Sequence, residues 1–317
     1  MARNVTVAGC QMGPVSRNEG RQVVVKRLMD MMRAAHAKGA RLCVFPETAL
    51  TTFFPRWYMP DWNEVDTFFE TEMPGPATRP LFDLAAELGV GFYLGYAEKI
   101  QENGVWHRYN TAILVDRQAK IVGKYRKVHL PGHSELDPKR PWQHLEKRYF
   151  EVGNLGFPTW RLHDPELGNA VMGMCICNDR RWPETWRVMG LRGVELVMLG
   201  YNTPSWNALG GGEDPKLRLF HNQLSLQAGC YQNGCYAVGV ARAGLEDGVE
   251  MMAGSCIVAP SGEVMVETRT SGDEVIAATL DLDVCQFNKS TIFNFAAHRR
   301  IEHYGIITSQ TAATPPE

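Results

Sequence analysis

Cys175 and Cys177 stand one residue apart in the stretch MCICNDRRWPE, residues 174–184. Cys177 ends an apolar run and is followed at once by Asn178, Asp179, Arg180 and Arg181. A thiol at a strand-to-helix junction is held on fixed backbone yet can be reached, which suits a nucleophile. Backbone N–H groups of the following turn favour a thiolate and can hold an oxyanion. Free cysteine is more often simply buried, and Cys175, flanked by Met174 and Ile176, reads as packing. A zinc site starting at Cys175-x-Cys177 would need a second close pair. Cys230 and Cys235 are the nearest approach, with four residues between them.

Other residues could serve such a nucleophile. Glu47 closes the run RLCVFPE, residues 41–47. A carboxylate at the end of a buried strand sits where clefts form, and desolvation there makes it a usable base. YRKVHLPGH, residues 125–133, brings Lys127, His129 and His133. On an alternating strand Lys127 and His129 share a face, and the lysine can stabilise developing negative charge. His144, Glu146 and Lys147 follow in the next segment. Arg180 and Arg181 offer the planar fork that suits a carboxylate ligand, or they pair with Asp179 or Glu184. Each of these taken singly is also what an ordinary surface or core residue would be.

The elements that must position these groups read as alternating strands and helices. Residues 5–12 form a buried strand. Residues 18–38 form a helix with Val24, Leu28, Met31 and Ala35 in period, Asn18 as N-cap and Gly39 as its stop. Residues 41–47 form a second strand. Residues 78–88 are helical, 91–99 a strand, and 109–127 a hairpin turning at 116–119. Residues 131–156 make a long loop, a kind of segment that tends to be functional. The runs FPTWRLH and AVMGMCIC are strands, 183–192 a helix opened by Pro183, and 194–202 another strand. Residues 216–232 form a helix with Leu217, Phe220, Leu224, Ala228 and Tyr231 on one face. Four more strands follow, and the chain ends in an extended tail. So many strands with so few helices fit two sheets packed face to face with helices outside each.

The chain has 317 residues, 44% of them hydrophobic and 21% charged, with a net charge of −2. That excludes wholesale disorder, and it gives no basic surplus for nucleic acid or an anionic membrane. No run reaches the ~18 apolar residues of a membrane span. No signal peptide opens the chain, and most of the eight cysteines sit in apolar strands, so a reduced, cytoplasmic protein is expected.

Taken together, FPET, YRKVHL and CNDRRWPE resemble the motifs of the nitrilase, or carbon–nitrogen hydrolase, superfamily, in the family's order. The resemblance runs through the whole chain. It implies a Glu47–Lys127–Cys177 triad on an α/β, four-layer α-β-β-α sandwich of the nitrilase type. Residues 1–285 would be a single domain and 286–317 a tail packing across a subunit interface. CNDRRWPETWRVMGLRG, PGHSELDPKRPWQHLEKRYF, YNTP and LQAGCYQNG are similar to segments of N-carbamoyl-D-amino acid amidohydrolases within that superfamily. This implies a small-molecule N-carbamoyl-D-amino acid substrate, a homodimer or homotetramer, and no metal or organic cofactor. Catalysis would then involve Glu47, Lys127, Cys177 and Glu146. Asn178, Arg180, Arg181, Asn202, Thr203, His129 and His144 would contact or support the substrate. An exposed Cys177 of low pKa should be the first thiol oxidised. The segment HDPELGNA, residues 163–170, is expected as a turn between strands. The segment SWNALGGGEDP, residues 205–215, is expected as a mobile lid that departs from the family pattern.

Overall fold

Period-2 burial decides the architecture. In the first strand, β1 (Asn4–Gln11), Val5 and Val7 join one buried cluster while Ala8 and Cys10 join another. A strand whose two faces both meet apolar partners belongs to a sheet covered on both sides. The computed structural model describes residues 3–206 and 214–316. Its strands, after β1, are β2 (Leu42–Val44), β3 (Gly91–Glu102), β4 (Val105–Val115), β5 (Ile121–Arg126), β6 (Thr159–Arg161), β7 (Val171–Ile176), β8 (Leu196–Tyr201), β9 (Tyr236–Ala241), β10 (Ala243–Glu246), β11 (Val249–Met252), β12 (Cys256–Val258), β13 (Val264–Glu267) and β14 (Glu274–Asp281). One six-stranded sheet has the order β14-β1-β2-β3-β4-β5 and the other β13-β12-β9-β8-β7-β6. β10 and β11 pair as a separate hairpin.

The longer helices are α1 (Arg21–Ala37), α3 (Arg79–Leu88), α5 (Pro183–Leu191) and α6 (Pro215–Asn233); α2 (Trp62–Asp66) and α4 (Glu146–Tyr149) are short. Helices α1 and α3 cover the outer face of the first sheet, where Leu28, Met32, Leu81 and Phe82 meet Cys43, Phe92 and Ile113. Helices α5 and α6 cover the second, with Met189, Trp186 and Leu226 in its core. The result is the four-layer α-β-β-α sandwich, and Val7, Val44, Leu114 and Tyr125 lie in the same cluster as Met172, Met174 and Val197 between the sheets.

Several local expectations need correction. Asn18 does not cap α1: the N-cap is Gly20, with no side-chain bond, and residues 17–18 lie in the preceding turn. The helix does stop at Gly39, at φ +85°. The apolar stripe of α6 does not face the core. Leu217, Phe220, Leu224 and Tyr231 are exposed, while Asn222, Leu226, Gly229 and Cys230 are buried. Gly229 decides this, because Trp186 packs where a Cβ there would stand. The hairpin β10–β11 escaped the sequence because burial in β10 runs against polarity, with Leu245 exposed and Glu246 buried. Residues 311–316 of the terminal segment TAATPPE hold no helix or strand, as expected, while α7 (Asp283–Ser290), α8 (Phe295–His298) and α9 (Gly305–Ser309) precede them. Segment 163–170 is a turn between β6 and β7 as expected, built on a 3-10 turn over Pro165–Leu167. The expected lid falls largely on residues 207–213, outside the described residues. No helix among the described residues is long and apolar enough to cross a membrane.

Candidate active site

Glu47 leaves β2 through Pro46, and its backbone runs between the two sheets. On one side stands Gly95 of β3, where an added Cβ would lie 2.9 Å from the Glu47 Cα. On the other stands Gly200 of β8, where a Cβ would lie 2.2 Å from the Glu47 nitrogen. Only glycine lets the backbone pass there. Both carboxylate oxygens accept hydrogen bonds, and Oε2 keeps a lone pair beyond its one bond. Oε1 accepts from Lys127 Nζ at 2.7 Å and Asn110 Nδ2 at 2.8 Å. Oε2 accepts from the Asn202 backbone N–H at 2.8 Å. Asn202 also donates Nδ2 to the Glu47 carbonyl and the Thr48 hydroxyl. Asn110 was not singled out from sequence, yet an asparagine inside the apolar run YNTAILV was a visible signal.

Lys127 lies one residue beyond β5, fully buried. Its ammonium bridges two carboxylates, Glu47 at 2.7 Å and Glu146 at 2.6 Å. Burial works against the charge, but Glu146 and Glu47 outweigh it and raise the Lys127 pKa. Burial likewise opposes the Glu146 charge, and Lys127 and His144 overcome it, so Glu146 sits below the ordinary glutamate value. His144 Nε2 lies 3.0 Å from Glu146 Oε1, and its ring meets Phe53 edge-on. Glu146, at the start of α4, is therefore a fixed anion that holds Lys127.

Cys177 opens a 3-10 turn, Cys177–Arg181, directly after β7. Its φ is +46°, a strained conformation for a side-chain-bearing residue and one found at functional turns. Asp179 holds the turn, and sequence reasoning gave it no role beyond pairing with arginine. One oxygen accepts from the Ile176 N–H at 3.1 Å and the Tyr125 hydroxyl at 2.7 Å. The other accepts from the His129 backbone N–H at 2.9 Å and lies 2.8 Å from His129 Nδ1. His129 does not share a strand face with Lys127, because β5 ends at Arg126. It stacks instead between Phe157 and Trp182. Asn178 Nδ2 donates to the His129 carbonyl at 3.1 Å.

The thiol of Cys177 is buried at 6% exposure, and Thr203 Oγ1 lies 3.9 Å from the sulfur. The exposed, low-pKa thiol expected from sequence is corrected here. Burial and the Glu47 carboxylate push the pKa up, against the pull of Lys127 and Arg180. Both favour the thiol over the thiolate, so nucleophilic attack calls for a base to take its proton. Cys175 is core, as expected.

Arg180 is buried beneath this turn. Nη1 donates to the Cys177 carbonyl at 2.5 Å and Nη2 to the Thr203 hydroxyl at 3.3 Å, while Nε has no partner. The guanidinium lies over the Tyr201 ring at 4.5 Å. Arg181 is exposed. Trp142 and Trp206 meet edge-to-face at 5.7 Å and join the loop of His144 to the loop of Thr203. Among the described residues no group of three or more His, Cys, Asp or Glu side chains is arranged to hold a metal ion.

A thiol, a buried carboxylate and a buried ammonium, with a strained turn of backbone N–H groups beside them, can carry out covalent acyl transfer. Comparison with known proteins agrees. The family model described as Carbon-nitrogen hydrolase matches residues 6–289. A nitrilase of Pyrococcus abyssi is 27% identical over 95% of this chain and 98% of its own. An N-carbamoylputrescine amidase of Arabidopsis thaliana is 27% identical over 87% of each chain. The crystal structure of a carbon–nitrogen hydrolase from Helicobacter pylori G27 superposes with a TM-score of 0.78 at 21% identity, covering 96% of this chain and 98% of that one.

Proposed function

The chain belongs to the carbon–nitrogen hydrolase family, and from that premise we propose that it hydrolyses N-carbamoyl-D-amino acids to the D-amino acid, ammonia and carbon dioxide. The observation that carries this reading is the arginine pair at the nucleophile. Arg180 is tied to the Cys177 carbonyl and keeps one N–H without a partner, and Arg181 follows it. Cations at this place favour a substrate with a free carboxylate and repel one with a cationic end. The relative acting on N-carbamoylputrescine supports the carbamoyl part of the reading; the arginines argue against its amine end. The D configuration is taken from the resemblance of residues 177–193 and 131–150.

The residues divide the work as follows. Glu47 takes the Cys177 proton as the sulfur attacks the ureido carbon. Lys127 Nζ and the Asn178 backbone N–H hold the oxyanion, a role worth about 10²–10³ in rate per donor. The proton on Glu47 passes to the departing nitrogen and ammonia leaves, forming a thiocarbamate on Cys177. Glu146, held as an anion by Lys127, is the poorer proton donor. A water deprotonated by Glu47 then attacks the thiocarbamate. The C–S bond breaks, the thiol is restored, and the carbamic acid loses carbon dioxide to give the amine. Asn202 fixes Glu47, Thr203 touches the sulfur, and His129 and His144 brace Asp179 and Glu146.

The test is ammonia release from N-carbamoyl-D- and N-carbamoyl-L-phenylalanine beside a Cys177→Ala control. Turnover of the D form alone, lost in the variant, supports substrate, configuration and nucleophile together. Folded protein that turns over neither form sinks the substrate reading, and β-ureido acids and simple amides become the substrates to assay.

A further inference from the structure

Behind the Glu47 loop lies a buried cluster of charge that the reaction does not touch. Glu246, at the end of β10, accepts from Arg56 Nη2 at 2.6 Å and faces Arg242 Nε at 3.4 Å. All three residues are buried. The same carboxylate accepts the backbone N–H groups of Val15 and Phe53, each at 2.9 Å, and the Thr52 hydroxyl at 3.2 Å. Arg56 also donates to the Glu246 carbonyl. Arg56 and Glu246 alone would make a balanced pair. Within this buried cluster Arg242 is a second cation on one carboxylate, and burying a charge in excess of its partners is costly.

What Arg242 contacts accounts for its presence. Its Nη2 donates to the carbonyl oxygens of Thr48 at 3.2 Å and Thr51 at 3.0 Å. Thr48 directly follows Glu47 and has a φ of +41°, a strained value for a β-branched residue. Such a turn persists only when its surroundings over-determine it. Asn202 grips the turn from the side-chain and carbonyl side, and Arg242 grips it from behind. We infer that Arg242 is a positioning residue for the base: by holding the Thr48 and Thr51 carbonyls it keeps the left-handed turn, and so keeps the Glu47 carboxylate in register with Lys127, Asn202 and Cys177. The inference rests on Glu47 acting as base.

The experiment compares Arg242→Met, Arg242→Lys, Glu47→Gln and wild-type full-length protein. Alkylation of Cys177 by iodoacetamide, followed by peptide mass spectrometry, reads base action without needing the natural substrate. Steady-state turnover of N-carbamoyl-D-phenylalanine and thermal melting accompany it. A misplacement of about 1 Å costs about 10²-fold, so Arg242→Met should lose roughly that in kcat with KM within about two-fold, and alkylate Cys177 more slowly. Arg242→Lys keeps the charge without the fork and should fall between. Wild-type alkylation and kcat in folded Arg242→Met overturn the inference. So does faster alkylation, which reports a loosened structure with the thiol exposed. If Arg242→Met does not fold, Arg242→Lys decides by the same readouts. Wild-type alkylation in Glu47→Gln overturns the base reading itself, whereas slow alkylation there with wild-type behaviour at Arg242 overturns this inference alone.

Discussion

Lys127 sits between Glu47 and Glu146, and this determines how the site responds to pH. Glu146 has its pKa lowered on folding from an ordinary value of 4.5. Its contribution to stability is therefore present above that value and lost as pH falls through the depressed one. The Lys127 pKa is raised from 10.5, so its contribution is full below that value and lost only as pH rises through the raised one. Between these limits the pair stabilises the fold. Glu146→Gln should lower stability at neutral pH by roughly 1.5–3 kcal/mol, the worth of one charged hydrogen bond. It should also flatten the acid limb of melting temperature against pH; parallel curves for the two proteins would contradict this. Lys127→Ala should lose at least about 10²-fold in kcat, and it should melt lower because two buried carboxylates lose their shared cation. A variant with near-normal turnover would remove Lys127 from the oxyanion site. Cys177 is still the most accessible of the eight cysteines, 6% exposed against 0–1% for the others. Peroxide should modify it first, and inactivation with Cys177 intact by mass spectrometry would contradict that.

Two element-level features place Glu47 and Cys177: glycines that let one loop pass between the sheets, and a strand end that turns left-handed. Gly200 of β8 has no room for a methyl beside the Glu47 nitrogen. Gly200→Ala should move the base, with a stability loss of at least about 1–3 kcal/mol and a large fall in kcat. Gly272, with nothing within 4 Å of its would-be Cβ, is the matched control, and its alanine variant should stay within about 0.5 kcal/mol. Equal behaviour of the two would show that the close approach at Gly200 is not what places Glu47. Strands with strict alternation or all-apolar runs were readable because burial on a sheet follows period 2. β10 was not, since its burial runs against polarity: Leu245 is exposed while Glu246 is buried.

At the scale of the molecule, the surface left over is informative. Phe220 (54% exposed) and Leu224 (48%) stand out from α6 with Leu217 and Tyr231. The tail lies beside that helix: Phe293 meets Tyr231 edge-on, and Arg187 of α5 lies over the Phe295 ring. We propose this apolar stripe as the subunit contact of the homodimer or homotetramer that the resemblance implies. Phe220→Glu with Leu224→Glu should shift sedimentation toward the monomer with little cost to the fold of each subunit. An unchanged sedimentation coefficient would place the subunit contact elsewhere.

The sequence offered Glu47, Lys127 and Cys177 as candidates, and the resemblance of their motifs joined them into a triad; it also indicated the number and class of most elements. Side-chain type, apolar period and motif spacing are local properties, and they survive without coordinates. Contact was not legible. Only the folded chain brings Lys127 onto Glu146, seats Asp179 under His129 and Tyr125, and buries Arg242 against the Thr48 and Thr51 carbonyls, across separations of 19 to 194 residues. The direction of the Cys177 pKa was equally hidden. The motif suggests an activated thiolate, whereas burial and a neighbouring carboxylate, both products of packing, favour the thiol. Which face of α6 turns inward was likewise decided by packing: Gly229 admits Trp186, and that contact outweighs the apolar stripe.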